Sequence, residues 1–250
     1  MTNLVAINYA AHKHLKIDPI QTQVHSSKIN MLPIVVAEFS QVSVQHPIVL
    51  AKNAETGEFT LSALLGFEQH ENLFFKNGQW QGVYLPLQLQ RQPFFVGDIN
   101  TESEDDYAVC INLDCPSVVK DNTASKAADS HDLFTDGGED SDYFIKMKQC
   151  LGYLLQGEID NKALIDTLLA LDLVQPLTLE VTFSNQQSAR MNGLYTVNEE
   201  KLAALDYEQV GRLHKAQQLK PIYTMINSLG QVYPLIERKN EQLTSVHDQC

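Results

Sequence analysis

A chain of 250 residues, 44% hydrophobic and 20% charged, has the composition of an ordinary globular protein able to bury a sizeable core. Its formal net charge of −13 is uneven: Thr101 to Phe144 carries twelve Asp or Glu against only Lys120 and Lys126, and the rest is close to neutral. Nucleic acid and anionic membrane surfaces are disfavoured as main partners, because both require a clustered basic surface.

No basic stretch followed by an apolar run opens the chain, and no apolar run reaches bilayer length. The expectation is a soluble cytoplasmic protein without membrane insertion. Of Cys110, Cys115, Cys150 and Cys250, only the first two lie close together. A lone C-x4-C pair is not a zinc signature, so all four are read as reduced structural thiols.

Leu4 to Leu32 reads as an extended polar arm with short strand-like pieces, interrupted at Asp18-Pro19. Pro33 to Gln45 is apolar at Ile34, Val35, Val36, Phe39, Val42 and Val44 and is open between helix, with Pro33 at its first position, and strand. Ile48 to Lys52 and Phe59 to Leu61 read as strands joined by a turn at Asn53 to Glu58. Asn77-Gly78, flanked by Asn72–Phe75 and Gln81–Tyr84, is a hairpin signal. Pro86 to Arg91 reads as a helical turn and Ala108 to Leu113 as a strand.

Val119 to Gly138 is the best loop candidate, rich in Asp, Ser, Ala and Gly. Two helices follow, Asp142–Leu155 and Asp160–Leu171, each with apolar residues at three- and four-residue spacing. Leu177–Phe183 and Gly193–Val197 read as strands. Asn198 and Asp206 are N-cap candidates for helices running to about Leu205 and Gln217, and Lys220-Pro221 breaks the second before Ile222 to Leu229. The tail after Arg238 reads as frayed.

Catalytic constellations are sparse. His12 and His14, placed on a strand, would point to one face and chelate, but no acidic residue or cysteine lies beside them in sequence. The run from His131-Asp132 to Asp142 lacks calcium-loop spacing and reads as a solvated loop, with Asp140 or Asp142 near a helix start. There is no Gly-x-Ser-x-Gly elbow and no glycine-rich nucleotide loop. Neither a metal nor a cofactor is expected.

The segment from Trp80 to Phe95 is different in kind. It gathers the sole tryptophan, Tyr84, Pro86, Arg91, Pro93 and Phe94 within sixteen residues. It reads either as a strand and turn that send aromatics into the core, or as a docking strip anchored by Trp80, Tyr84 and Arg91, residue types enriched at binding hot spots. Prolines stiffen the segment, which lowers the entropy lost on binding.

At these residues the chain resembles the SapC family of bacterial proteins. The resemblance is carried by Glu38-Phe39 with His46-Pro47-Ile48-Val49, Leu64-Leu65-Gly66 with Glu71-Asn72-Leu73-Phe74, and Trp80 with Tyr84-Leu85-Pro86. It continues through Arg91-Gln92-Pro93-Phe94, Gly193-Leu194-Tyr195 running to Leu202, and Ile222-Tyr223 with Ser228-Leu229. The family's paired basic residues stand here as Gln90-Arg91, and its aromatic before Pro93 as Gln92. The resemblance brings no catalytic residue. The genomic company of such proteins (tryptophan-halogenase-like flavoproteins, cupin-like or JmjC-like oxygenases, TonB-dependent receptors) implies an accessory role in handling or modifying a protein or peptide.

The expected fold is α+β, mainly antiparallel sheet from the N-terminal half with helices concentrated in the C-terminal half. Residues 1–118 form a strand-rich aromatic region, 119–138 an acidic flexible loop, 139–238 a helix-rich region integrated with the first, and 239–250 a frayed tail. The expected function is a non-catalytic accessory protein binding a peptide or protein partner through Trp80, Tyr84, Pro86, Arg91, Pro93 and Phe94. A metal-dependent, oxygenase-like or peptide-modifying enzyme using some of His12, His14, His70 and Glu38 is the alternative. A surface-layer component is a further one.

Overall fold

The computed structural model describes residues 3–98, 107–120 and 130–247. In chain order, Leu4–Ala6 (β1), Tyr9–His12 (α1), Lys16–Ile17 (β2) and Pro19–Val24 (α2) lead to Met31–Pro33 (β3) and Phe39–Val42 (α3). Ile48–Lys52 (β4), Phe59–Leu64 (β5), Phe75–Lys76 (β6), Gln79–Trp80 (β7), Leu87–Gln90 (α4), Phe94–Asp98 (β8) and Tyr107–Asn112 (β9) follow. Then come Val118–Val119 (β10), His131–Asp132 (β11), Asp142–Ala170 (α5), Val174–Thr182 (β12) and Ser188–Val197 (β13). Glu199–Ala203 (α6), Tyr207–Lys215 (α7), Leu219–Ser228 (α8) and Val232–His247 (α9) complete the order. The class is α+β, with antiparallel sheets and the helices weighted toward the C-terminal half. Among the described residues no helix is long and apolar enough to cross a membrane.

The chain forms two compact units that interleave along the sequence. The first draws on Met1–Ser26, Asn77–Trp80 and Leu87–Leu155, and the second on Ser27–Lys76, Gln81–Pro86 and Gln156–Cys250.

In the first unit, β9 lies between β1 and β8, with Val5 and Phe94 both opposite Ile111. A Cβ on Gly97 of β8 would lie 2.6 Å from the Cys110 sulfur, so that position admits only glycine without movement. β2 pairs on one side with β10 and on the other with β11, and Lys16 joins Asp132 at 3.1 Å. The strand β11 therefore interrupts the loop expected over 119–138, of which residues 121–129 lie outside the described residues. The core gathers Ile17, Phe94, Ile111, Leu133, Phe144 and Leu151. Cys110, Cys115 and Cys150 are buried free thiols, and Cys250 lies outside the described residues.

The N-terminal arm is more helical than its polarity suggests. Asn8 caps α1, its side chain accepting from the Ala11 amide, and Asp18 caps α2 with Pro19 in the first turn. His12 and His14 consequently do not share a strand face. His12 ends α1, buried, with its ring Nδ1 3.1 Å from the Asn8 amide, whereas His14 follows in the turn and is exposed.

In the second unit a five-stranded antiparallel sheet runs β12-β13-β4-β5-β3. The central strand β4 opens with three consecutive buried residues, Ile48, Val49 and Leu50, as a strand covered on both faces must. Asn53 closes the β4–β5 turn by accepting from the amides of Glu55 and Thr56. Between β12 and β13 the register shifts around Leu177 and Leu179, where Gly193 adopts φ 74° opposite, a bulge that needs glycine. The core gathers Phe39, Leu50, Leu61, Leu168, Ile222 and Met225. Asn198 and Asp206 cap α6 and α7 as expected, Asp206 in a reciprocal box with Gln209.

Three boundaries differ from the sequence expectation. Pro33 ends a strand, and the apolar run after it forms a 3₁₀ turn over Val36–Glu38 before α3. Pro221 lies in the first turn of α8 instead of before it, where its missing N–H costs no intrahelical bond. Order persists past Arg238 as α9.

The two helices expected at Asp142–Leu155 and Asp160–Leu171 are one helix of 29 residues, α5. Gly157, within the expected break, is not a stop. A Cβ there would meet the Val35 side chain at 2.4 Å, so the glycine admits the chain before the 3₁₀ turn against the helix. Asn161, one turn on, fixes the same approach by donating to the Ile34 carbonyl at 2.8 Å and accepting from the Val36 amide at 2.9 Å.

Candidate functional site

The six residues of the aromatic–proline strip divide between core and half-buried positions. Phe94 is 0% exposed, and Pro86 and Pro93 are also buried, so these three serve packing. Trp80, Tyr84 and Arg91 are half-buried. The strip also divides between the two units, Trp80, Arg91, Pro93 and Phe94 in the first and Tyr84 and Pro86 in the second.

In the first unit, the Trp80 amide donates to the Gln23 side chain at 2.9 Å. Asn77 and Gly78, just before β7, have φ of 54° and 81°, the left-handed pair that a tight hairpin turn requires. Arg91 staples its own turn: Nε donates to Gln88 Oε1 at 2.7 Å, Nη1 donates to the Phe94 carbonyl at 2.9 Å, and the guanidinium lies 4.3 Å from the Phe95 ring centroid. The Gln92-Pro93 peptide bond between them is cis.

In the second unit, Tyr84 belongs to a polar clamp. Its hydroxyl donates to Glu38 Oε2 at 3.1 Å, while Glu38 Oε1 accepts from the Val35 amide at 3.2 Å. The Glu38 carboxyl group is thus buried but hydrogen-bonded through both oxygens, as a buried polar group must be. Gln45 holds the backbone on the other side: Oε1 accepts from the Val83 amide at 2.7 Å, and Nε2 donates to the Tyr84 carbonyl at 3.1 Å.

The second hydrogen of Gln45 Nε2 points to His46 Nε2, 2.9 Å away, which makes that ring nitrogen the acceptor. Nδ1 then carries the proton and donates to the Leu64 carbonyl at 3.2 Å. Burial lowers the His46 pKa to about 4; the Leu64 hydrogen bond opposes this shift and the nearby Arg238 charge adds to it. A neutral imidazole is what the clamp requires, because a protonated Nε2 could not accept from Gln45. Phe74 packs on His46 at 4.1 Å between ring centroids, and Arg238 covers Phe74 at 4.3 Å.

The loop that carries Phe74 is fixed by Glu71. Its Oε2 accepts from the Phe67 amide at 2.8 Å and the Glu68 amide at 3.3 Å, and its Oε1 pairs with buried Lys239. Burial alone would lower the Lys239 pKa, but the hydrogen bond and charge of Glu71, with Glu68, outweigh it and raise the value. Ser228, on α8, accepts from the Ile48 amide at 2.8 Å and donates to the Met225 carbonyl.

The clamp leaves one side chain conspicuously in solvent. Val83 is 91% exposed although the backbone on both sides of it is held. Val44, next to Gln45 in sequence, is 61% exposed. Neither valine carries a local sequence signal of exposure; the fold alone leaves both side chains in solvent. Of the residues proposed for an enzyme, Glu38 is committed to the clamp, His70 is exposed in a turn with φ 64°, and His12 and His14 occupy the first unit. Among the described residues no three His, Cys, Asp or Glu side chains converge as a metal site.

Comparison with known families matches the chain to the sequence model of the SapC family over residues 7–235. No curated protein and no solved structure matches the chain. The match encompasses every motif that carries the clamp, from Glu38 through His46, Glu71 and Tyr84 to Ser228.

Proposed function

The chain belongs to the SapC family, and from that premise we propose that it is an accessory protein that binds a peptide or protein partner, with Val83 at the contact. The observation that carries this reading is the Gln45 clamp. It fixes the Val83 amide and the Tyr84 carbonyl while Val83 itself stays 91% exposed. Single exposed apolar residues are common and mean little. An exposed apolar residue on a backbone already immobilised is different, because covering it gains apolar burial with little further loss of conformational entropy.

Trp80 and Arg91 support the surrounding structure in this reading, and Tyr84 positions the loop through Glu38. The company of halogenase-like and oxygenase-like enzymes that the resemblance implies supports a polypeptide partner that is handled or modified, with this protein's part being recognition.

A photo-crosslinking amino acid at position 83, with position 55 in the exposed Asn53–Gly57 turn as control, tests the proposal in the native cell. The expected result is a discrete polypeptide adduct from position 83 alone. Equal labelling from both positions, or none from position 83, rejects it.

A further inference from the structure

A second feature of the same unit borders the turn that carries Glu38 without being lined by Glu38 itself. Between the segment Val36–Ser40 and the residues joining α7 to α8 lies an open cleft of about 750 Å³. Its floor is apolar, formed by Val36, Phe39 and Pro221, and its rim carries His214, Lys215 and Lys220. Asp and Glu are absent from the described lining, in a chain whose net charge is −13. Neither lysine has an ion-pair partner among the described residues.

Local helix physics explains only part of that charge. His214 and Lys215 stand in the last turn of α7, where cations complement the helix dipole. Lys220 stands in the first turn of α8, where a cation opposes the dipole. Gln217, also on the rim, holds φ at 57° in the turn that closes α7, a position where glycine is easier. Two unfavourable local choices thus face one cavity whose volume lies within the usual range of ligand sites.

We propose that this cleft seats an acidic peptide segment, with carboxylates at Lys215 and Lys220 and an apolar side chain on the Val36–Phe39–Pro221 floor. The inference rests on the reading of this protein as a binder of a polypeptide partner and adds the chemistry that partner presents. Charge complementarity selects the occupant: two unpaired lysines over an apolar floor favour a chain alternating acidic and apolar residues.

The test is an amide NMR titration of the full-length, isotope-labelled protein with the blocked pentapeptide Asp-Leu-Glu-Leu-Asp and its neutral counterpart Asn-Leu-Gln-Leu-Asn. The acidic peptide is expected to shift signals of Val36–Ser40 and His214–Thr224, and the neutral one to leave them unmoved. The double variant Lys215→Glu, Lys220→Glu, whose substituted side chains are both exposed, should keep its fold and weaken binding about tenfold or more, as should raising the salt. Equal response to both peptides, shifts confined to other residues, or a double variant that binds like the parent overturns the proposal. So does salt-sensitive dimerisation through the cleft without peptide binding, which would make a second copy the occupant. Adducts from position 83 that persist with a silent cleft would sink the cleft and leave the partner reading standing. A silent cleft together with no adduct would remove both.

Discussion

Tyr84 and Glu38 meet at 3.1 Å, the phenol donating to a carboxylate that is only 2% exposed. Forty-six positions separate them in sequence, so the bond ties the Gln81–Pro86 loop to the 3₁₀ turn that opens α3. Val35, which caps this turn, and Val36, which opens it, meet α5, so one short segment serves both helix docking and loop placement.

Removing the phenol tests that tie. Tyr84→Phe is expected to lower unfolding stability by roughly 1–3 kcal/mol, because a buried carboxyl oxygen loses its donor. Urea unfolding of Tyr84→Phe, Glu38→Gln and the double variant checks it, with the paired loss expected to be non-additive. Additive effects would show that the two side chains do not act together.

Acid sensitivity should follow from His46. Its folded pKa of about 4 lies below the ordinary value of 6.5, so the unfolded chain binds the proton more readily and stability rises with pH across that interval. The stabilisation is fully present above pH 6.5 and is lost progressively as pH falls toward 4, by roughly 3 kcal/mol in all. Denaturant midpoints measured at intervals from pH 4 to 7 should show this slope, and His46→Gln should flatten it.

Two glycines of the same helix should respond oppositely to alanine. At Gly157 the new methyl meets Val35 at 2.4 Å, and overpacking of this kind costs about 1–3 kcal/mol, more than the helix-propensity gain. At Gly152 nothing lies within 4 Å of the added Cβ, so alanine should stabilise by roughly 0.5–1 kcal/mol. Thermal unfolding of the two variants side by side decides it, and a neutral Gly157→Ala would refute the close approach.

Breaking the buried Lys239–Glu71 pair should be among the most damaging single changes in the second unit. Lys239→Ala leaves the Glu71 carboxylate buried without its cation, a loss of roughly 3–5 kcal/mol. The raised Lys239 pKa gives the matching alkaline signature: its contribution is complete below pH 10.5 and fades as pH rises through the folded value. Unfolding midpoints that ignore both the substitution and the alkaline range would contradict the pairing.

Much of the architecture is written locally. The α+β class, β4 and β5, the Asn77-Gly78 turn and the caps Asn198 and Asp206 were all legible, because each depends on φ preferences, β-branched runs or side-chain bonds within four residues. The family motifs were legible as a pattern too, and the family model's match over residues 7–235 shows membership. What the motifs do was not legible. Glu38, Gln45, His46, Leu64 and Tyr84 are scattered over 47 positions and converge only when the sheet and α3 assemble. The gap expected between Leu155 and Asp160 is closed as one helix, and Gly157 within it is explained only when Val35 is seen against it. The aromatic–proline strip, alike along its length in composition, splits into buried Pro86, Pro93 and Phe94 and half-buried Trp80, Tyr84 and Arg91. Sequence alone determined which residues are costly to leave in water; tertiary structure decided which of them are covered, because burial depends on neighbours supplied by distant parts of the chain.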